Sequence, residues 1–163
     1  MSTRAMSEEI EMATWRAERA IERVIQSYAR GVDGTDFDRV CACFHPDARV
    51  QYGDWFSGDR EATIAWLERS VSLLHGTLHV FGSPWIVFDA KLSSAECETY
   101  AINSAQYPPD ESGRIIQNVS GTRYYDHFEC REGVWAIVSR RNERVWSRND
   151  PLDEDPPLPT ARG

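Results

Sequence analysis

The sequence predicts a single α+β domain in which a curled, mainly antiparallel sheet wraps around three N-terminal helices. Helical periodicity dominates the chain before Gly76, and four long segments with strand character follow it. Only short, turn-like stretches separate these segments. A length of 163 residues suits one domain. We therefore expect a domain over residues 1–147 and a tail rich in proline and aspartate over residues 148–163.

Apolar residues at helical spacing predict the three helices. The first spans about Ser7 to Val32, and the glycines that follow place Asp33 in its last turn or just beyond. Thr35, with Asp38 three residues later, has the pattern of a capping box that starts a short second helix. A third helix is expected from about Asp59 to Leu74.

One short strand is expected between the second and third helices, over Ala48–Gly53, and four long strands follow the third helix. Pro84 has no amide hydrogen, so we expect the first long strand to be bent or broken there. Strands of this length must twist and curl, which leaves a pocket between the concave side of the sheet and the helices. The long strands are expected over Thr77–Asp89, Ser93–Tyr107, Arg114–Cys130 and Gly133–Trp146.

Charge and composition exclude several classes of partner. The 26 acidic residues outnumber the 18 basic ones, and a net charge of −8 repels phosphate backbones, so nucleic acid is not expected. No run approaches the roughly 20 apolar residues of a membrane span, and the N-terminus has no apolar stretch typical of a signal peptide. We therefore expect a cytoplasmic protein whose four cysteines are reduced thiols.

No metal or organic cofactor is expected. Cys41 and Cys43 form a single C-x-C pair, without the second pair that a zinc site requires. His75 and His79 are four residues apart, but Gly76 breaks the helix between them, so they would not share a face. Glycine-rich phosphate-binding loops and a serine nucleophile elbow are absent from the sequence.

Five polar side chains on otherwise apolar stretches are the candidates for chemistry: Tyr28 and Asp33 on the first helix, Tyr52 at the end of the short strand, His79 and Arg140 on long strands. Each also fits a structural role, such as a hydrogen-bonded core histidine, a helix cap or an ion-pair partner. The remaining histidines are weaker candidates. Of these, His45 is expected to face solvent in a turn, His75 to end the third helix, and His127 to lie near a strand end.

Several segments together resemble the SnoaL-like proteins of the nuclear transport factor 2-like superfamily. Val24–Asp33 and Phe44–Ala48 resemble their opening, Thr77–His79 resembles a Thr/Ile-x-His strand, and Gly121–Asp126 with Gly133–Ile137 resembles their closing hairpin. The resemblance covers roughly residues 15 to 147. It implies a cone-shaped α+β barrel.

Within that superfamily, an aspartate on the first helix and a histidine on a strand mark a lyase branch. It includes scytalone dehydratase, the bile-acid 7α-dehydratases and hexachlorocyclohexane dehydrochlorinase. These enzymes use a His–Asp dyad without metal or organic cofactor, assisted by tyrosine and a cavity arginine. The resemblance thus implies a dyad of His79 and Asp33, assisted by Tyr28, Tyr52 and Arg140.

The expected function is a cofactor-independent lyase that acts on a hydrophobic aromatic, polyketide or steroid-like molecule by proton abstraction and elimination. Three alternatives remain: a retro-aldol lyase that releases an aldehyde, an isomerase of the ketosteroid type, and a non-catalytic ligand-binding module or dioxygenase β-subunit-like protein. A homo-oligomer, trimer or dimer, is also expected. Its contacts would use aromatic residues on the convex face of the sheet, namely Trp85, Phe88, Trp135 and Trp146.

Overall fold

The computed structural model describes residues 3–152, and in this part of the chain three helices and seven strands form one layered fold. The helices cover the concave side of the sheet, and no described helix is long and apolar enough to cross a membrane. The elements are α1 (Thr3–Asp33), α2 (Phe37–Cys41), β1 (Phe44–Tyr52), β2 (Phe56–Asp59), α3 (Arg60–Val71), β3 (Gly76–Phe81), β4 (Trp85–Phe88), β5 (Ser94–Gln106), β6 (Ile115–Arg131) and β7 (Val134–Leu152).

The seven strands form one open sheet in the order β2-β1-β7-β6-β5-β3, with β4 also paired to β5. Every pairing is antiparallel except that of β1 with β7, which is parallel. The predicted α+β architecture with a mainly antiparallel sheet is therefore confirmed. The predicted break at Pro84 is confirmed as well, because β3 and β4 are separate strands on either side of it.

Local boundaries differ from the sequence-based expectation at three places. The N-cap of α2 is Asp36, whose carboxylate accepts the backbone N–H of Arg39 at 3.0 Å, and not Thr35. Thr35 has a φ of 53°, a left-handed conformation, whereas an N-cap residue is usually extended. The first strand begins at Phe44 and not at Ala48. The four-residue strand β2 was not expected, because so short a segment carries no detectable alternation.

The last strand also extends further than expected. β7 continues to Leu152 and so includes the first five residues of the predicted tail, because this segment pairs in antiparallel register with the beginning of β6, where Ile115 lies opposite Leu152. Backbone hydrogen bonds across the hairpin outweigh the low strand propensity of its proline and aspartate residues. The rest of the predicted tail, residues 153–163, lies outside the described residues.

Close packing of the first two helices holds the end of α1 in place. Gly31 lies where a Cβ atom would come within 2.7 Å of the Val40 side chain and 3.1 Å of the Asp36 carbonyl oxygen, so only glycine fits without a shift. On the sheet-facing side of α1, Ile21 and Ile25 are almost completely buried. The last turn of α1, which carries Asp33, also contacts β3 directly, because Asp33 accepts the backbone N–H of His79.

An apolar row crosses the convex face of the sheet. Val80, Ile102 and Trp146 lie in register on β3, β5 and β7, all substantially exposed, and the indole of Trp146 covers Gly121 on β6 between them. Trp85 is exposed on β4, as expected. The expectation for Phe88 and Trp135 is wrong: their rings pack against each other on the core side, because they alternate inward along their strands.

We expect this row to be covered in a homo-oligomer, with a trimer slightly ahead of a dimer. Ile102→Arg places a charge in the middle of the row and should shift the protein toward the monomer of 18.6 kDa. Light scattering at micromolar concentration measures this, with Gln51→Arg on the exposed side of β1 as the control. A wild-type protein that is monomeric throughout this range would contradict the expectation.

Candidate active site

The last residue of α1 and the middle of β3 meet in a histidine–aspartate pair. The Asp33 carboxylate contacts His79 twice: Oδ2 accepts the backbone N–H at 2.8 Å, and Oδ1 lies 2.7 Å from the ring Nδ1. Both side chains are mostly buried, with 13% exposure for His79 and 21% for Asp33. Two contacts to one residue fix both the carboxylate and the plane of the imidazole.

This geometry determines which ring nitrogen can act as a base. An ionised carboxylate can only accept hydrogen bonds, so Asp33 orients the neutral imidazole with its proton on Nδ1. The lone pair of His79 then resides on Nε2. Because the His79 side chain lines the main cavity, Nε2 is the atom that can take a proton from a bound molecule.

Two tyrosines from different elements form a second polar pair in the same cavity. The hydroxyls of Tyr28 on α1 and Tyr52 on β1 lie 2.9 Å apart, and both side chains are buried. Burial raises the pKa of Tyr52 to about 12 and raises the pKa of Tyr28 well above its ordinary value. Both phenols therefore remain protonated at neutral pH. Since one hydroxyl donates to the other, one O–H is left to donate to a ligand.

A buried ion pair lies behind these rings. The Arg140 guanidinium binds the Asp126 carboxylate through two hydrogen bonds of 2.7 Å each, and both side chains are almost completely inaccessible. The guanidinium carbon lies 4.2 Å from the ring centroid of Tyr28 and 4.9 Å from that of Tyr124. Burial lowers the pKa of Arg140, but the charge and hydrogen bonds of Asp126, together with Tyr28 and Tyr52, outweigh burial and raise it.

Arg140 does not line the cavity, in contrast to the sequence-based expectation of a cavity arginine. Its side chain lies on the inward face of the sheet and binds Asp126 on the neighbouring strand, and the rings of Tyr28 and Tyr124 lie between it and the cavity. Arg140 can therefore act on a ligand only through the tyrosines, as a fixed positive charge behind them.

The cavity itself has a volume of about 510 Å³ and two chemically different walls. None of its lining residues is an aspartate or glutamate. Helix α3 and the loops beside it contribute the mostly apolar wall, which includes Trp55, Trp66, Leu67, Val71, Leu73 and Leu74. The sheet contributes the polar wall, which includes His79, Asn103, Ser120, Thr122, Tyr124 and Asn142.

The other histidines lie apart from this cavity. The expectation for His45 is wrong, because its ring is buried and its Nε2 lies 3.0 Å from the carbonyl oxygen of Glu129. His127 pairs with Glu96 on the convex face at 2.8 Å, and His75 is exposed just before β3. Across residues 3–152, no three histidine, cysteine, aspartate or glutamate side chains are grouped so that they could hold a metal ion.

The structure thus brings four of the five predicted residues together: the His79–Asp33 pair and the Tyr28–Tyr52 pair belong to one site. Sequence reasoning missed the polar residues Asn103, Tyr124 and Asn142 on the cavity wall, and also the partner of Arg140. The turn at residues 131–133 offered a signal for that partner. Pairing the residues of β6 and β7 one by one, outward from this turn, places Asp126 close to Arg140.

The comparisons with known proteins agree with this architecture. The SnoaL-like domain matches residues 13–141. No curated protein matches the chain at a significant level.

Several solved structures share the fold. A protein of Novosphingobium aromaticivorans DSM 12444, provisionally named a scytalone dehydratase, is similar with a TM-score of 0.76 and 20% identity over 93% of this chain and 99% of its own. LinA is similar with a TM-score of 0.77 and 16% identity over 90% and 99%. The hexachlorocyclohexane dehydrochlorinase LinA-type3 from Novosphingobium barchaimii LL02 has a TM-score of 0.74 and 16% identity over 91% and 99%. At these identities the similarity shows the fold, while the family match covers most of the chain. The chain belongs to the SnoaL-like domain family.

Proposed function

We propose that this protein is a cofactor-independent lyase in which His79, oriented by Asp33, removes a proton from a hydrophobic small molecule and thereby eliminates water. The observation that carries the proposal is the Asp33–His79 pair, joined by two hydrogen bonds, beside a cavity that the Tyr28–Tyr52 pair also lines. The structural neighbours named as dehydratase and dehydrochlorinase support the same reaction class.

His79 is the base that this cavity supplies. An isomerase of the ketosteroid type would need a carboxylate base in the cavity, and none of the lining residues carries one. The carboxylate of Asp33 is engaged by His79, and that of Asp126 is engaged by Arg140 behind the tyrosines. When Nε2 accepts a proton, the adjacent Asp33 carboxylate stabilises the imidazolium.

The tyrosines contribute hydrogen bonds rather than protons. Burial raises the pKa of Tyr28 and Tyr52, so a phenolate would be costly and the O–H groups act as fixed donors to an oxygen that gains negative charge. The buried charge of Arg140 behind the Tyr28 ring favours the same charge development.

The elimination balances without another reactant. Nε2 of His79 takes the proton from the carbon next to the leaving group, the electron pair of that C–H bond forms the new C=C bond, and the C–O bond breaks. The hydroxide leaves as water with the proton that the imidazolium returns. His79 is then neutral again and ready for another cycle.

The proposal is tested by a substrate screen with three protein samples. Wild-type protein is incubated with β-hydroxy carbonyl compounds and aromatic diols, and products are identified by mass spectrometry. A loss of 18 mass units identifies dehydration, whereas a released aldehyde identifies the retro-aldol alternative. His79→Ala should abolish turnover of any substrate found, by at least about 10²-fold, and dialysis of the wild-type protein against a chelator should change nothing.

The matched control is His127→Ala, which removes the other histidine that pairs with a carboxylate, on the convex face. It should turn over the substrate at the wild-type rate. Full turnover by His79→Ala on a substrate of the wild-type protein would overturn the proposal and leave the cavity as a binding module.

A further inference from the structure

The polar wall of the cavity contains two asparagine side chains with unused hydrogen-bonding capacity. Among the described residues, neither Oδ1 of Asn103 nor Oδ1 of Asn142 has a hydrogen-bond partner, although both atoms are buried. Asn103 uses its amide nitrogen to bind the hydroxyls of Thr122 at 3.1 Å and Tyr124 at 3.3 Å. A buried acceptor without a partner destabilises the fold, so two in one cavity indicate a ligand that completes them.

The sheet register places these amides between the two polar pairs. Asn103 lies directly opposite His79 on the neighbouring strand, and Asn142 lies directly opposite both Tyr52 and Tyr124. Side chains opposite each other on one face of a sheet have Cβ atoms about 4.5–5.5 Å apart. A band of polar groups therefore runs from His79 to Tyr52, with the two amides inside it.

The positions of the two amides restrict which functional groups a molecule in the cavity can have. With its reacting carbon at Nε2 of His79 and one oxygen at the Tyr28–Tyr52 pair, the molecule presents its remaining edge to the amides. Carbonyl oxygens accept hydrogen bonds, so that edge must carry a donor. The ring of the molecule contacts the opposite wall, where Trp66 and Leu67 are apolar.

We infer that Asn103 and Asn142 form a hydroxyl-binding subsite and that the substrate is a cyclic molecule with at least two oxygen functions, such as a diol or a hydroxyketone. The inference rests on the proposed function only for the position of the reacting carbon. It excludes a halogenated hydrocarbon as the preferred substrate, because such a molecule has no donor and would leave both amide oxygens unpaired.

The experiment measures binding, so it does not depend on turnover. Isothermal titration calorimetry compares 2,7-dihydroxynaphthalene with 2-naphthol, which has the same ring and one hydroxyl fewer. The wild-type protein should bind the diol about tenfold more tightly. Asn103→Leu and Asn142→Leu should each reduce this preference to about twofold, while the affinity for 2-naphthol changes little.

Gln51→Leu is the matched control, because Gln51 is next to Tyr52 on β1 but has its amide on the exposed face. It should keep the full preference for the diol. Thermal unfolding verifies that each variant is folded, and Asn142→Ser serves as a second, milder variant with the same expected direction. Equal affinity of the wild-type protein for the two naphthols, binding of neither, or an unchanged preference in both asparagine variants would overturn the subsite.

The two proposals fail in different ways. His79→Ala should retain the preference for the diol while it loses turnover. Retained turnover by His79→Ala together with a lost preference in the asparagine variants would refute the lyase mechanism and leave the subsite standing.

Discussion

Asp33→Asn is expected to lower the turnover number by about 10²–10⁴-fold while the melting temperature falls little or rises. The reason lies in the two contacts that Asp33 makes to His79. In the variant, the amide oxygen keeps the backbone N–H and the amide nitrogen faces Nδ1. Nδ1 must then be the acceptor, which moves the imidazole proton to Nε2, where it blocks the base. The charge that stabilises the imidazolium is lost as well.

The melting temperature of Asp33→Asn should fall little or rise, because removing a largely buried carboxylate charge lowers the desolvation cost of folding. Steady-state kinetics on the substrate of the screen and a thermal melt measure the two effects. Glu96→Gln is the matched control: it makes the same change in the exposed pair with His127 and should leave turnover unchanged. Turnover by Asp33→Asn within about threefold of wild type would contradict the role of Asp33.

The second large effect is expected at the buried ion pair. Asp126→Asn leaves the inaccessible Arg140 guanidinium without a countercharge and should lower the free energy of unfolding by about 3–5 kcal/mol. Replacing both residues, in Asp126→Leu with Arg140→Met, should cost less than the single change, since no uncompensated buried charge remains. Urea unfolding followed by circular dichroism measures all three proteins.

An exposed pair provides the comparison. Arg131 binds Asp47 through two nitrogens at 2.6 and 3.1 Å, as Arg140 binds Asp126, but at the surface. Asp47→Asn should therefore have little effect on stability, because solvent screens the remaining charge. If Asp126→Asn is no more destabilising than Asp47→Asn, the buried pair is not a structural requirement and the placement of Arg140 behind the tyrosines needs revision.

Much of the fold could be predicted from local patterns. The periodicity of α1, the break at Pro84 and the four long segments with strand character each depend on neighbouring residues, so the sequence contains them directly. The polar residues on apolar stretches could be identified from the sequence in the same way. Four of them, Tyr28, Asp33, Tyr52 and His79, lie at one site. Their joint role came from a resemblance to known proteins and not from any spacing along the chain.

Which residues from different elements contact each other was decided by the tertiary structure. Asp33 and His79 are 46 positions apart and meet because α1 packs on β3, while Gly31 lets α2 pack tightly on the end of the same helix. The parallel pairing of β1 with β7 brings Tyr52 beside Asn142, and nothing local in either strand specifies it.

The position of Arg140 shows the physical reason most clearly. Strict alternation from the buried Trp135 and Ile137 would turn Ser139 inward and Arg140 outward, but a register shift in the ladder turns Arg140 inward instead. Whether its side chain then reaches the cavity depends on its partner across the hairpin. Counting from the turn places Asp126 opposite Ser139, and the register shift between His127 and Phe128 moves it opposite Arg140. One extra residue in a ladder changes every later pairing, and its position depends on packing across the whole sheet. The sequence by itself therefore determined the helices, the long strands and four polar residues of the site. Only the tertiary structure decided that Phe88 and Trp135 face the core and which inward residues contact each other.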